Sequence, residues 1–284
     1  MRRFYRIAGI NFCVSTLEDE GFEDDGILTN FRTVPTTEHH EIILHLKEQL
    51  DAPEGALYAA DGSVCAYREN DKVICYRGCY DRKWEKGYLR IARAQDRSVV
   101  QLRKHKDMIR LSAGITLEAM ELQHQLVQQD GLLLHATYIH VNGEAILFTA
   151  PSGTGKSTQA VLWCSLRGAE LVNGDRAAVT VEKTGVYAWG VPYSGSSLVR
   201  KNANHPLKAV VVLSQAKETT ISRLEGMAAF RKIWEGCSVD TWDPEDMNRC
   251  AQTVMNLLSC VPVYHLACTP DESAVRILET VLRK

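Results

Sequence analysis

The chain has 284 residues, a formal net charge of −2 and 45% hydrophobic residues. That length allows one large or two modest domains, and the apolar fraction is enough for a buried core. A charge so near zero argues against a nucleic-acid or anionic-membrane partner. No apolar run reaches the ~18 residues needed to span a bilayer, and no apolar signal core follows Arg2, Arg3 and Arg6, so a cytoplasmic protein is expected. Nine cysteines, an odd number, contain one close pair, Cys75 and Cys79, and no Cys/His cluster that would complete a zinc site. Reduced thiols packed as small hydrophobes are therefore expected.

Residues 1–104 read as a β-rich domain. Tyr5–Val14 is the first strand-like run, and the acidic stretch Glu18–Asp25 is a solvated loop. Glu38–Leu50, apolar at Ile42, Ile43, Leu46 and Leu50, suits an amphipathic helix. Leu57–Ala60, Val64–Tyr67 and Val73–Tyr76 are strands separated by the turn signals Asp61-Gly62 and Asn70-Asp71. Tyr88–Ala92 and Val99–Leu102 continue the series. This part carries no repeat and no chemical motif, and its expected role is packing, oligomerisation or recognition.

In residues 105–284, Gly114–Asp130 is expected to be one helix, stopped by Gly131. Leu132–Ile139 reads as a strand. Asn142-Gly143 is a two-residue turn that makes 132–141 and 144–149 an antiparallel hairpin. Ala169–Val172 is a short strand ending at Asn173-Gly174-Asp175-Arg176. Ala177–Val181 and Val186–Trp189 form a hairpin, and Leu207–Leu213 is a central strand. Glu225–Glu235 and Pro244–Ser259 are helices, the second with Glu245 and Asp246 in its first turn, where the helix dipole favours them. Val261–Ala267 is a strand, with His265 in a structural role. Asp271–Leu282 closes the chain as a helix capped near Ser273 or Thr269.

The chemistry concentrates in residues 144–158. An apolar run, Ala145–Phe148, leads into a loop with Gly153 and Gly155, then Lys156 and Ser157, then a helical stretch from Gln159 to Leu166. Strand, glycine loop, Lys-Ser and helix together make a phosphate-binding loop. Glycine lets successive amides turn toward one anion, and the helix N-terminus adds partial positive charge. Pro151, Ser152, Gly153, Thr154, Gly155, Lys156, Ser157 and Thr158 are the nucleotide-binding candidates, for ATP with Mg²⁺. Lys156, expected as a solvent-facing charge, reaches the β- and γ-phosphates, and Ser157 ligates the metal. Ala150 stands where the pattern usually has its first glycine; the following Pro151 keeps it extended. Asp175, at a strand's carboxyl end beside the loop, is placed to orient or deprotonate an acceptor hydroxyl, and it is also a candidate metal ligand. The plain alternative for Asp175 is a turn residue after Gly174. Arg200 and Lys201, after Ser194-Gly195-Ser196-Ser197, either clamp phosphate or an acidic peptide or form a solvated basic loop.

The order of His135, Lys156-Ser157 and Leu171-Val172-Asn173-Gly174-Asp175 resembles the C-terminal kinase domain of the HPr kinase/phosphorylase family, which shares the core of ATP-dependent phosphoenolpyruvate carboxykinase. Val191–Gly195, Asn202, Pro206–Ala209 and Val261–Leu266 look like the HPr-kinase-like proteins that accompany ribosomally made, modified peptides. The resemblance covers about residues 113–284. It implies an α/β P-loop kinase domain at 105–284, behind the smaller β-rich N-terminal domain. It also implies a catalytic role for His135, and it matches Asp175 to the family's proton-accepting Asp. Gly174 replaces the first Asp of the family's Asp-Asp pair. The downstream acidic magnesium ligand has no clear match, Glu182 being one candidate. The implied reaction is ATP-dependent phosphorylation of a hydroxyl on Ser or Thr of a peptide or protein. Self-association is a further implication. Two rivals remain: a same-fold kinase of a small-molecule alcohol, and a non-catalytic nucleotide-binding regulator, which the missing Asp favours. Transporter and helicase ATPases lack support, because no apolar strand ends in Asp-Glu.

Overall fold

The computed structural model describes residues 2–16, 26–70, 72–104, 112–195 and 197–283. The acidic stretch 18–25, Asp71 and Ser196 lie outside the described residues. Two compact units are present: Met1–Leu122 with Asp240–Pro244, and Gln123–Val239 with Glu245–Lys284.

The first unit is built on one eight-stranded sheet. Its strands are β1 (Arg2–Ile7), β2 (Ile10–Thr16), β3 (His40–Lys47), β4 (Ala56–Asp61), β5 (Val64–Glu69), β6 (Lys72–Arg77), β7 (Leu89–Arg93) and β8 (Arg97–Arg103), followed by helix α1 (Ala113–Met120). The spatial order is β1-β2-β3-β8-β7-β6-β5-β4. The expected single strand over Tyr5–Val14 is two, because Ala8 (φ 50°) and Gly9 (φ 82°) turn the chain between β1 and β2. The expected helix over Glu38–Leu50 is β3. There His40, Ile42 and Leu44 alternate inward, and parallel pairing to β2 and β8 on its two sides outweighs a helical spacing that rested on four positions.

Arg93 is the buried charge centre of this unit. Its guanidinium donates to Glu121 Oε1 and Oε2, both at 2.8 Å, to Asp240 Oδ2 at 2.7 Å and to Asp243 Oδ2 at 3.2 Å, and it lies 4.8 Å from the Trp242 ring. Glu121 also accepts from Arg77 at 3.0 Å. The expected single helix over Gly114–Asp130 therefore breaks at Glu121, which sits at φ 45°, and resumes as α2 (Leu122–Val127). Pairing one carboxylate with two buried guanidiniums offsets the cost of a left-handed residue.

The second unit carries a ten-stranded sheet with helices on both faces. Its strands are β9 (Gly131–Leu134), β10 (Ala136–Val141), β11 (Glu144–Thr149), β12 (Glu170–Asn173), β13 (Ala177–Glu182), β14 (Gly185–Gly190), β15 (Asn204–Gln215), β16 (Thr220–Leu224), β17 (Cys237–Ser238) and β18 (Val263–Cys268). Its helices, after α2, are α3 (Lys156–Arg167), α4 (Gly226–Trp234), α5 (Pro244–Cys260) and α6 (Glu272–Leu282). The order is β12-β10-β11-β15-β14-β13-β9-β17, and β18 pairs with β15 and β16. One face packs Leu147, Tyr138 and Val210 with Cys250, Val254 and Leu257 of α5. The other packs Ile146, Phe148 and Val211 with Ala160 and Trp163 of α3 and with Ala274, Val275 and Leu278 of α6. Period-2 alternation along β11 and β15 thus feeds two separate apolar layers, as a sheet buried on both faces requires.

The β10–β11 hairpin forms with Val141 opposite Glu144, and Asn142 (φ 52°) and Gly143 (φ 84°) supply the left-handed pair its turn needs. The strand leading into it is not continuous. It breaks at His135, so β9 pairs with β13 and β17 while β10 pairs with β11 and β12. β15 is parallel to β11 and to β18, so three strands end their carboxyl termini on one edge. The closing helix is capped by Asp271, whose side chain accepts from Ser273 N at 2.8 Å, rather than by Ser273 or Thr269. No helix among the described residues is long and apolar enough to cross a membrane, which says nothing of β-barrels.

Candidate active site

The glycine loop leaves β11 at Thr149 and enters α3 at Lys156. Gly153 sits at φ 78° and Gly155 at φ 121°, and a Cβ added at either would meet no atom within 4 Å. Glycine is required there by backbone angle, and the space over the loop is open. Among the described residues the amides of Ser152, Gly153 and Gly155 donate to no protein acceptor. An open concavity of free amides at a helix N-terminus suits an anion.

Lys156 is folded inward. It is 8% exposed, and its Nζ donates to the carbonyls of Ala150 at 2.8 Å and Pro151 at 3.4 Å. The expected solvent-facing charge is therefore a buried one. Burial lowers its pKa, with the Asp175 carboxylate opposing. An ammonium held on two carbonyls and short of its usual stabilisation gains most from an arriving anion. Ser157 and Thr158 are exposed on the first turn, with the Ser157 hydroxyl open to a ligand.

His135 and Asp175 converge on the same place. His135 is fixed by its backbone: its N–H donates to Gly236 O at 2.8 Å, and its carbonyl accepts from Thr149 Oγ1 at 2.9 Å. Its Nε2 lies 3.7 Å from Asp175 Oδ1, beyond hydrogen-bond reach. Its pKa is lowered, first by burial and then by Lys156, against the pull of Asp175. At neutral pH it is a neutral imidazole beside a carboxylate.

Asp175 owes its position to Asn173, which is fully buried. Asn173 Oδ1 accepts from the amides of Asp175 at 2.9 Å and Arg176 at 3.1 Å. Its Nδ2 donates to Val191 O and Tyr193 O, both at 2.8 Å. One side chain thus ties the end of β12 to the loop after β14. Arg176 Nε lies 3.5 Å from Asp175 Oδ2, and its guanidinium also donates to Ser238. At Gly174, where a paired carboxylate would stand, an added Cβ would come within 2.1 Å of Ser197 Oγ and 2.8 Å of Ser197 Cβ. The Ser197 side chain fills that space, so a second carboxylate at this position would require Ser197 to move.

Of the two basic candidates, Arg200 lies beside the Asp175 segment, its backbone bridged to Asn173. Arg200 donates to Ser194 Oγ at 2.9 Å. Lys201 donates to Glu170 Oε1 at 2.5 Å, at the opposite end of β12 from Asp175, and chiefly accounts for the lowered Glu170 pKa. Glu182 accepts from Thr180 at 2.9 Å at the far end of β13, away from Asp175, and is not brought to the loop.

A cavity of about 680 Å³ opens over the loop. His135, Thr149, Pro151, Gly153, Ser214 and His265 are among its lining residues, with Lys232 on α4 and Glu235 just after it. Ser214 and His265 are 2.9 Å apart, Oγ to Nε2, so His265 belongs to the site wall rather than to a purely structural strand. β15 runs beside the loop strand and ends in Ser214-Gln215, a readable signal for Ser214. Lys232 and Glu235 arrive through the fold alone and left no pattern to read. In donor chemistry the Ser157 hydroxyl and the Asp175 carboxylate, both hard oxygens beside the anion cradle, fit magnesium.

Residues 99–282, well over half of the chain, match the family described as SynChlorMet cassette protein ScmC. The chain belongs to the ScmC family. The glycine loop, His135, Asn173 and Asp175 all fall inside the family's span. A solved structure of the Hpr(Ser) kinase/phosphatase from Coxiella burnetii is similar over 53% of this chain and 88% of its own, with 14% identity and a TM-score of 0.30. That overlap is too loose to assign a fold. No curated protein matches the chain.

Proposed function

We propose that this ScmC-family chain is an ATP-dependent phosphotransferase acting on a hydroxyl, on Ser or Thr of a peptide or protein. One observation carries the reading: a neutral imidazole, a buried ammonium and a single aspartate meet beside an open loop of free amides. Phosphoryl transfer asks for positioning and charge neutralisation, which this set supplies. The loop amides and Lys156 hold the phosphates, Lys156 exchanging the Ala150 and Pro151 carbonyls for phosphate oxygens. Ser157 and Asp175 would hold magnesium, which when bound neutralises phosphate charge. Asp175 takes the proton from the acceptor hydroxyl as its oxygen bonds the γ-phosphorus. The bond from that phosphorus to the bridging oxygen breaks, and ADP leaves. Arg176 restrains the Asp175 carboxylate. His135, uncharged, leaves that carboxylate free to accept the proton. A peptide acceptor follows from the resemblance to HPr-kinase-like proteins that accompany modified peptides, and homo-oligomerisation is part of the same proposal.

The occupied space at Gly174 favours a second reading, a nucleotide-binding regulator without transfer. Mass spectrometry after incubation with MgATP separates the readings. The expected result is a phosphate-sized gain on Ser/Thr peptides rather than on small alcohols. ATP binding with no acceptor-dependent turnover would establish the regulator.

A further inference from the structure

A second cavity, about 430 Å³, lies on the other flank of the glycine loop, lined by Thr154, Gln159, Leu213, Gln215, Cys268 and Pro270, among others. It adjoins the first turn of α3 and the carboxyl ends of β15 and β18. Leu213 and Pro270 give it apolar walls. Gln159 is the anomaly. It is 2% exposed on the face of α3 that otherwise buries Ala160 and Trp163. Its Nε2 donates to Cys268 Sγ at 3.4 Å, while its Oε1 has no hydrogen-bond partner among the described residues. A leucine would fill this place without stranding a polar atom, and a buried acceptor left unpaired calls for an explanation. With the amide nitrogen on the Cys268 sulfur, the oxygen is the end left without a partner.

We propose that this cavity is the nucleotide-base subsite and that Gln159 Oε1 accepts from an exocyclic amino group, selecting adenine. The inference rests on the loop being a triphosphate site: with the phosphates on the loop amides, the base reaches the adjoining cavity. Adenine presents an N–H donor where hypoxanthine and guanine present a carbonyl. A carbonyl would face Oε1 acceptor to acceptor, unless the amide turns over and changes its contact with Cys268.

The test is equilibrium binding of MgATP and MgITP, which differ in the 6-substituent and in the proton that the 6-carbonyl form carries on N1. Wild type should prefer ATP by about tenfold or more, as sites built around a buried hydrogen bond do. Gln159→Leu should abolish the preference by weakening ATP binding while ITP binding stays within about twofold. Cys268→Ala, which frees the amide to turn, should narrow the preference with ATP still bound, and it serves if Gln159→Leu does not fold. Equal binding of the two nucleotides by wild type, or an unchanged preference in either variant, overturns the base assignment and leaves the triphosphate site standing. Binding of neither nucleotide by wild type overturns both.

Discussion

His135 and Lys156 each have a pKa depressed first by burial, and each can be tested by its titration. The Lys156 charge lowers the His135 pKa and the Asp175 charge raises it. Removing Lys156 should therefore move the His135 titration up, and Asp175→Asn should move it down, as followed by NMR of the imidazole. The same shifts with both variants would contradict the geometry. The sign for stability follows. Folded His135 resists a proton that the unfolded chain accepts, so His135 costs stability as pH falls below about 6.5, its unfolded value. His135→Gln should lessen acid destabilisation in denaturant titrations at two pH values. Lys156→Met should keep stability within about 1 kcal/mol, because burial disfavours the charge it removes, yet lose triphosphate binding. A large fall in melting temperature would instead make the Ala150 and Pro151 hydrogen bonds the residue's main role. A sequence shows that Lys156 is present, but its inward fold depends on two carbonyls that only the closed loop brings together.

At the scale of elements, the legible parts were those with local causes. Asn142-Gly143 marks its hairpin because both positions need positive φ, and the glycine loop announces itself between an apolar strand and a helix. Gly155→Ala places a side chain at φ 121° in open space, so strain alone acts. A loss of about 1–3 kcal/mol is expected, read by chemical denaturation, together with weaker triphosphate binding. Wild-type stability and affinity would contradict the loop conformation. The illegible parts had distant causes. β3 is a strand because β2 and β8 flank it, and the break at Glu121 exists because Arg77 and Arg93 claim its carboxylate. Arg93→Met removes the guanidinium that three buried acids share, leaving Glu121 with Arg77. It should cost about 3–5 kcal/mol, seen as a lowered melting temperature, while a change under about 1 kcal/mol would show the cluster to be replaceable.

For the whole molecule, strand order assembles the candidate site. Three strands, β11, β15 and β18, run parallel and end on one edge, and the glycine loop leaves from there. β12 delivers Asp175 to the same edge through its pairing with β10, and the break at His135 turns the histidine toward it. Periodicity showed the strands but not this order, so His265, Lys232 and Glu235 gave no reason to be grouped with the loop. In the proposed mechanism one aspartate performs transfer in a site that binds ATP without it. The measurement is acceptor-dependent phosphate transfer from MgATP by wild type and Asp175→Asn, with binding read on the same samples. Asp175→Asn should bind ATP within a few-fold of wild type and lose roughly 10²–10⁴-fold in transfer rate. Equal transfer by the two proteins would contradict the kinase mechanism.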